Sequence, residues 1–240
     1  MSRVLAIGDI HEPVAHPGYL QFCRGLRTKY KCNEIVFVGD VADQQAISFH
    51  ANNPMCPGPD DEYQLTKQAI KKWKKAFPHA KVCIGNHDDR VIRLAESVNI
   101  PPRYLRDHAE VWKTLHWTWD YEFVIDDVYY WHGTGRGGIH PAYNVMKDML
   151  MPVVMGHCHA AAGIKWIANP LRRIFWMDVG CGIDVDAWQF AYGRHEKKRP
   201  ILAAGVILDG IPHHFVMPCG AGEKYHKSNF RGKDENNKNY

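Results

Sequence analysis

Aspartates, histidines and an asparagine recur in this sequence at one kind of place, the end of a short apolar run beside a glycine. The blocks are Gly8-Asp9-Ile10-His11, Gly39-Asp40, Gly85-Asn86-His87-Asp88, Trp131-His132-Gly133 and Gly156-His157-Cys158-His159. Two carboxylates (Asp9, Asp40), one amide (Asn86) and four imidazoles (His11, His132, His157, His159) form a donor set that suits first-row metals such as Mn, Fe, Zn or Ni. Glycine beside each donor permits the tight turn and close approach of a crowded pocket. Ligands of α/β sheets bind beyond the carboxyl ends of the strands, so five such strands would deliver all seven donors to one edge. The chemistry this allows is metal-assisted hydrolysis, in which bound ions supply the positive charge that a phosphate group needs.

The elements that must carry these blocks alternate in the first half. Apolar runs at Val4–Ile7, Ile35–Val38 and Lys81–Ile84 read as strands. Between and after them, helical spacing covers Pro17–Tyr30, Asp61–Phe77 and Asp89–Val98. The second of these helices places Leu65, Ala69, Ile70, Trp73, Ala76 and Phe77 on one face, with Lys67, Lys71, Lys72, Lys74 and Lys75 elsewhere. The second half is richer in strands. Tyr121–Ile125 and Val128–Trp131 flank an Asp126-Asp127 turn, Ile164–Ala168 and Ile174–Val179 flank Asn169-Pro170, and Ile201–Leu208 and His213–Met217 flank Asp209-Gly210. A short helix, Pro141–Leu150, and a strand, Val153–Met155, lie between. The expected architecture is α/β, with two packed sheets, parallel-rich first and antiparallel second, and helices outside. No linker divides the body, so residues 1–219 are expected to form a single domain and 220–240 a polar, disordered tail.

Composition excludes several classes. The net charge of +4 falls to +2 once the tail, with five basic and three acidic residues, is set aside. A strong basic footprint, the mark of a dedicated nucleic-acid binder, is missing. No apolar stretch is long enough to cross a membrane, and the strand-like start at Arg3–Ile7 leads us to expect no signal segment. The seven cysteines include no C-x-x-C pair and read as reduced thiols in a cytoplasmic protein.

The order of the five blocks resembles the calcineurin-like metallophosphoesterase superfamily, whose signature runs D-x-H, G-D, G-N-H-[DE], H and G-H-x-H. The match spans Asp9 to His159, roughly two-thirds of the chain, and its wording is similar to compact phosphoesterases of phages and prophages, which would place the protein in the host cytoplasm. The resemblance implies a four-layer αββα sandwich, two mixed β-sheets packed together with helices outside. It implies that Asp9, His11 and His159 bind one divalent ion and Asn86, His132 and His157 another, with Asp40 bridging. Two such ions, Mn first among the candidates, would sit roughly 3.5–4 Å apart and present a bridging hydroxide for in-line attack on a phosphate ester. His87 becomes the general acid or phosphate-oxygen donor, kept cationic and oriented by Asp43.

Around this set the reading is plainer. Asp88 reads as a helix cap and Cys158 as a core thiol, while Arg90 and Arg136, the latter in the glycine-rich loop Thr134–Gly138, are candidates to reach a substrate phosphate. The lysines of 67–75 read as a solvated helix face, and His50, His140, His195, His213 and His214 receive no role. The expected function is a phosphodiesterase or phosphatase acting on nucleotides or small phosphate esters, with no membrane and no obligate protein partner. Gln44 stands where protein Ser/Thr phosphatases of the superfamily carry arginine, which argues against that activity. A small DNA or RNA nuclease is the alternative. A non-catalytic protein-binding scaffold fits less well, because the donor set and His87 are all present.

Overall fold

The apolar runs of the first half are strands buried on both faces, which is why they lack polar alternation. The structure, a computed structural model, describes residues 1–49, 54, 56–184 and 199–218. His50, His195, the expected tail at 220–240 and most of the 180–199 segment lie outside the described residues.

In chain order the strands and helices are β1 (Arg3–Ile7), α1 (Tyr19–Tyr30), β2 (Glu34–Phe37), α2 (Pro59–Ala76), β3 (Ala80–Cys83), α3 (Arg90–Ser97), α4 (His108–Trp112) and β4 (Trp117–Asp120). The chain continues through β5 (Glu122–Ile125), β6 (Val128–Trp131), α5 (Pro141–Met149), β7 (Val153–Met155), β8 (Ala162–Ala168), β9 (Arg173–Val179), β10 (Ala203–Leu208) and β11 (Ile211–Val216). Six strands form one sheet in the order β11-β10-β1-β2-β3-β4, and five form a second in the order β5-β6-β7-β9-β8. In the first, β1 to β4 run parallel while β10 and β11 are antiparallel. In the second, β6, β7 and β9 run parallel between antiparallel edges. The last hairpin therefore returns to the first sheet. Both sheets are mixed, as the resemblance implies, and the first is parallel-rich as expected; the expectation of an antiparallel second sheet is corrected, because β6, β7 and β9 run parallel.

Three apolar clusters define the layers. Leu5, Ile7, Ile35 and Phe37 join Tyr19, Leu26, Ile70, Trp73 and Phe77 under α1 and α2. The alternate residues Val4, Ala6, Val36 and Val38 meet Tyr130, Val154, Phe175 and Met177 between the sheets. Ala142, Val145 and Met146 of α5 cover the far face of the second sheet with Tyr129, Val153 and Trp176. The result is the four-layer αββα sandwich. On α2 the buried face is Glu62, Thr66, Ile70 and Trp73, and Leu65 is exposed, which corrects its expected place. Glu62 turns inward because it accepts N–H bonds from Gln45 and Ala46 at 2.7 Å each.

The hairpin turns at Asp126-Asp127 and Asp209-Gly210 have positive φ at both central residues, the twist that two-residue hairpins favour. Among the described residues no helix is long and apolar enough to cross a membrane.

Candidate metal centre

The carboxyl ends of β1, β2 and β3 in one sheet and of β6 and β7 in the other meet at a common edge. Asp9 and His11 follow β1, Asp40 follows β2, Asn86 and His87 follow β3, His132 follows β6, and His157 and His159 follow β7. His11, Asp40 and His157 each adopt positive φ (47°, 46° and 65°). Such conformations are uncommon outside glycine and tend to collect where surrounding structure forces them. Two neighbouring glycines have no room for a side chain. A Cβ on Gly85 would lie 2.1 Å from Asp40 Oδ1, and one on Gly156 would lie 2.3 Å from Asp9 Oδ1.

The donors fall into two groups that share a member. Atoms of Asp9, His11, Asp40 and His159 all lie within 4.8 Å of one another, and so do atoms of Asp40, His132 and His157. Asn86 joins the second group, its Oδ1 being 3.0 Å from His132 Nε2. The outer hydrogen bonds orient the rings. His11 Nδ1 donates to Asp43 Oδ1 at 2.7 Å, and His132 Nδ1 donates to the Val38 carbonyl at 2.9 Å. Each ring thereby presents the lone pair of Nε2 to the centre, the arrangement of a ligand histidine with its second nitrogen satisfied. The Nε2 atoms of His11 and His159 stand 3.2 Å apart, as do His157 Nδ1 and His132 Nε2. Asp9 Oδ1 is buried with no hydrogen-bond partner among the described residues. Converging imidazole nitrogens, two buried carboxylates and an orphaned carboxylate oxygen fit divalent cations.

Electrostatics point the same way. Burial alone would push the Asp40 carboxyl up, but His132, His87 and His11 hold it well below the usual range. Burial opposes charge on His132 too, yet Asp40 and Asp9 raise its pKa to about 10. At His11 and His157 burial and a neighbouring imidazole win instead and lower the pKa, which favours the neutral rings that ligate a metal.

His87 lies beside this cluster. Its Nδ1 is 2.8 Å from the Asp43 carbonyl and 3.1 Å from Asp43 Oδ1. Burial works against its protonation, and Asp40 and Asp43 outweigh it, so its pKa is raised. Asp43 is itself almost wholly buried, and His11 and His87 hold its carboxyl low against burial. One carboxylate thus orients both a candidate ligand and the candidate acid.

The remaining sequence candidates divide. Arg90 is buried, donating to the Asp43 and Gln44 carbonyls at 2.8 Å each, with Nη2 3.2 Å from His87 Nε2. Arg136 lies in an exposed loop and pairs with Asp148 of α5 at 2.8 Å. Cys158 is half-buried against the outer cluster of the second sheet, its Sγ 3.5 Å from the Arg136 carbonyl.

Asp88 is not a helix cap. It accepts N–H bonds from Val41, Ala42 and Gly85 at 3.0–3.2 Å, clamping the loop after β2 to the loop after β3. Gln44 adds to the clamp, its amide donating to the His87 and Asp88 carbonyls at 2.7 and 3.1 Å. Neither role was readable from local sequence, since each depends on backbone groups of another loop.

The calcineurin-like phosphoesterase family model matches residues 2–180. No curated protein sequence matches the chain. Among solved structures it is similar to Vps29 of Cryptosporidium parvum, at 12% identity and a TM-score of 0.45, covering 90% of this chain and 96% of that one. It is also similar to YfcE, a phosphoesterase from E. coli, at 13% identity and a TM-score of 0.40, covering 86% and 88%.

Proposed function

The chain belongs to the calcineurin-like phosphoesterase family, and from that premise we propose that it is a two-ion hydrolase of phosphate esters. The observation that carries this reading is the pair of donor groups meeting at Asp40. In it Asp9, His11 and His159 hold one divalent ion, Asn86, His132 and His157 hold the other, and Asp40 bridges, with Mn the first candidate and Fe, Zn or Ni the others. When bound, such a pair supplies an activated water and a clamp on the phosphoryl oxygens.

The chain's own residues do the rest. Asp43 and the Val38 carbonyl fix the His11 and His132 rings through Nδ1, so Nε2 stays available as a lone pair. Asp43 also orients His87, which donates a proton or hydrogen bond to the ester oxygen. Arg90 Nη2, 3.2 Å from His87 Nε2, offers a second donor to the same phosphoryl group. Arg136 reaches the substrate only by leaving Asp148. The substrates that suit this site are nucleotides or small phosphate esters.

A hydrolysis panel with added Mn tests the reading. It compares p-nitrophenyl phosphate, bis-p-nitrophenyl phosphate, cyclic nucleotides, single-stranded DNA and a phosphopeptide. Hydrolysis of the small esters or nucleotides is expected, and diester turnover without monoester turnover makes the enzyme a phosphodiesterase. Turnover of DNA alone would replace this reading with a nuclease. No turnover of any substrate with two ions bound would replace it with a scaffold.

A further inference from the structure

The modest net charge hides a segregation that appears only when the helices are packed. Residues 19–31 and 65–76 hold nine of the 30 basic residues and none of the 26 acidic ones, so the rest of the chain, with 21 against 26, is net −5. These two stretches are α1 with its cap and most of α2, and they lie side by side. Arg27 of α1 donates to the Ala76 carbonyl of α2 at 2.8 Å and stacks over Phe77. Arg24, Lys29, Lys31, Lys71, Lys72 and Lys75 are exposed. Among the described residues none of the nine makes an ion pair, and the Lys and Arg pairs that do occur are Lys81–Glu34 and Arg136–Asp148.

Local energetics account for only part of this. Lys67, Lys71 and Lys75 repeat every four residues, so like charges stand one turn apart, a spacing that costs a helix about 0.2–0.5 kcal/mol per pair. The helix dipoles favour the last turns, where Arg27 and Lys29 of α1 and Lys74 and Lys75 of α2 sit, and they leave Arg24, Lys67, Lys71 and Lys72 without such support. The face also lies away from the metal edge. Arg3 Nε donates to the Tyr30 carbonyl and Trp117 Nε1 to the Phe77 carbonyl, so both helices end beside the amino ends of the strands.

We propose that the packed outer faces of α1 and α2 form a sequence-independent binding surface for the phosphodiester backbone of a nucleic acid. A polyanion's evenly spaced charges match two rows of unpaired cations, and counterion release drives such binding. A bilayer fits less well, because the apolar faces of both helices are buried in the core and none is left to insert. This surface is independent of the proposed hydrolysis and is assayed without metal.

The test is fluorescence anisotropy with short labelled duplex and single-stranded DNA in EDTA, across a salt series. The wild type is expected to bind with a steep salt dependence. Replacing Lys71, Lys72 and Lys75 together by Gln should lower the slope of log K against log salt by about 2.7 and weaken binding on the order of 10²-fold near 0.1 M salt. Arg24→Gln with Lys31→Gln should act in the same direction from the other helix. Both variants should keep the wild-type circular dichroism and hydrolysis of p-nitrophenyl esters. Absence of binding at about 50 mM salt, an unchanged slope in both variants, or tighter binding to anionic vesicles than to either DNA would overturn the proposal.

Discussion

The two sheets supply the candidate centre from loops of different character. On the first sheet, the loops after β2 and β3 are cross-tied by side chains. The Asp88 carboxylate holds three N–H groups, Gln44 holds two carbonyls and Arg90 holds two more. On the second sheet, His132 and His157 are fastened singly, through Nδ1 to the Val38 carbonyl and through N–H to Asp9 Oδ2. The loop that follows His132 is exposed from Thr134 to His140 and held by surface contacts, the Arg136–Asp148 ion pair, Cys158 Sγ on the Arg136 carbonyl and Lys165 against His140. One half of the site is preorganised and the other is left room to adjust. His87, the proposed acid, and Asp43 sit in the rigid half, where placement to a fraction of an ångström would matter most.

The comparison can be broken at several points. The largest effect should come from Asp40→Ala, which removes the one donor common to both groups. Elemental analysis should find both ions lost and turnover down by at least about 10³-fold; two ions retained would refute the bridging role. His87→Ala should leave both ions bound and slow turnover by roughly 10²–10⁴-fold. Ion loss in that variant would mean that His87 supports the centre instead of the chemistry.

Asp88→Ala tests the rigid half directly. It strands three buried N–H groups, and each unsatisfied donor costs about 1–3 kcal/mol, so urea unfolding should show a loss of roughly 3 kcal/mol or more. Arg136→Ala is its counterpart, expected to change stability by less than about 0.5 kcal/mol because its ion pair is exposed. Equal losses in the two variants would erase the distinction.

Asp178 offers a subtler probe of the second sheet. It is buried like Asp88 but accepts one N–H, from Ala142 at 3.2 Å. Burial raises its pKa from 3.8 to about 6. The folded state therefore holds this proton more tightly than the unfolded state. The stability it contributes is complete below pH 3.8 and is lost as pH rises through about 6. Asp178→Asn should raise the Tm near neutral pH and flatten its dependence between those values; a lower Tm at pH 7 would show the carboxylate to be needed charged.

Much of this was legible in the sequence, for particular reasons. Strands β1, β2 and β7 announce themselves because residues buried on both faces leave an unbroken apolar run. Strand β4 and helix α4 gave no such sign, being short edge elements with little periodicity. The place of β10 and β11 was misread because hairpin pairing is local, whereas the choice of sheet depends on β10 meeting β1 some 200 residues earlier, Val4 opposite Ile207. Leu65 was misplaced for a similar reason. The helical period marks an apolar stripe, and what the packed layer offers, here the N–H groups of Gln45 and Ala46, turned the helix so that Glu62 faces in.

By itself the sequence determined the donor types, their attachment to strand ends and the glycines that give them room. Those are properties of short segments, governed by local sterics and burial. Only the tertiary structure decided which donors stand within 4.8 Å of each other, that Asp43 holds both His11 and His87, and that Asp88 is a clamp. Such distances join loops far apart along the chain, and sheet order and packing, which no local pattern encodes, set them.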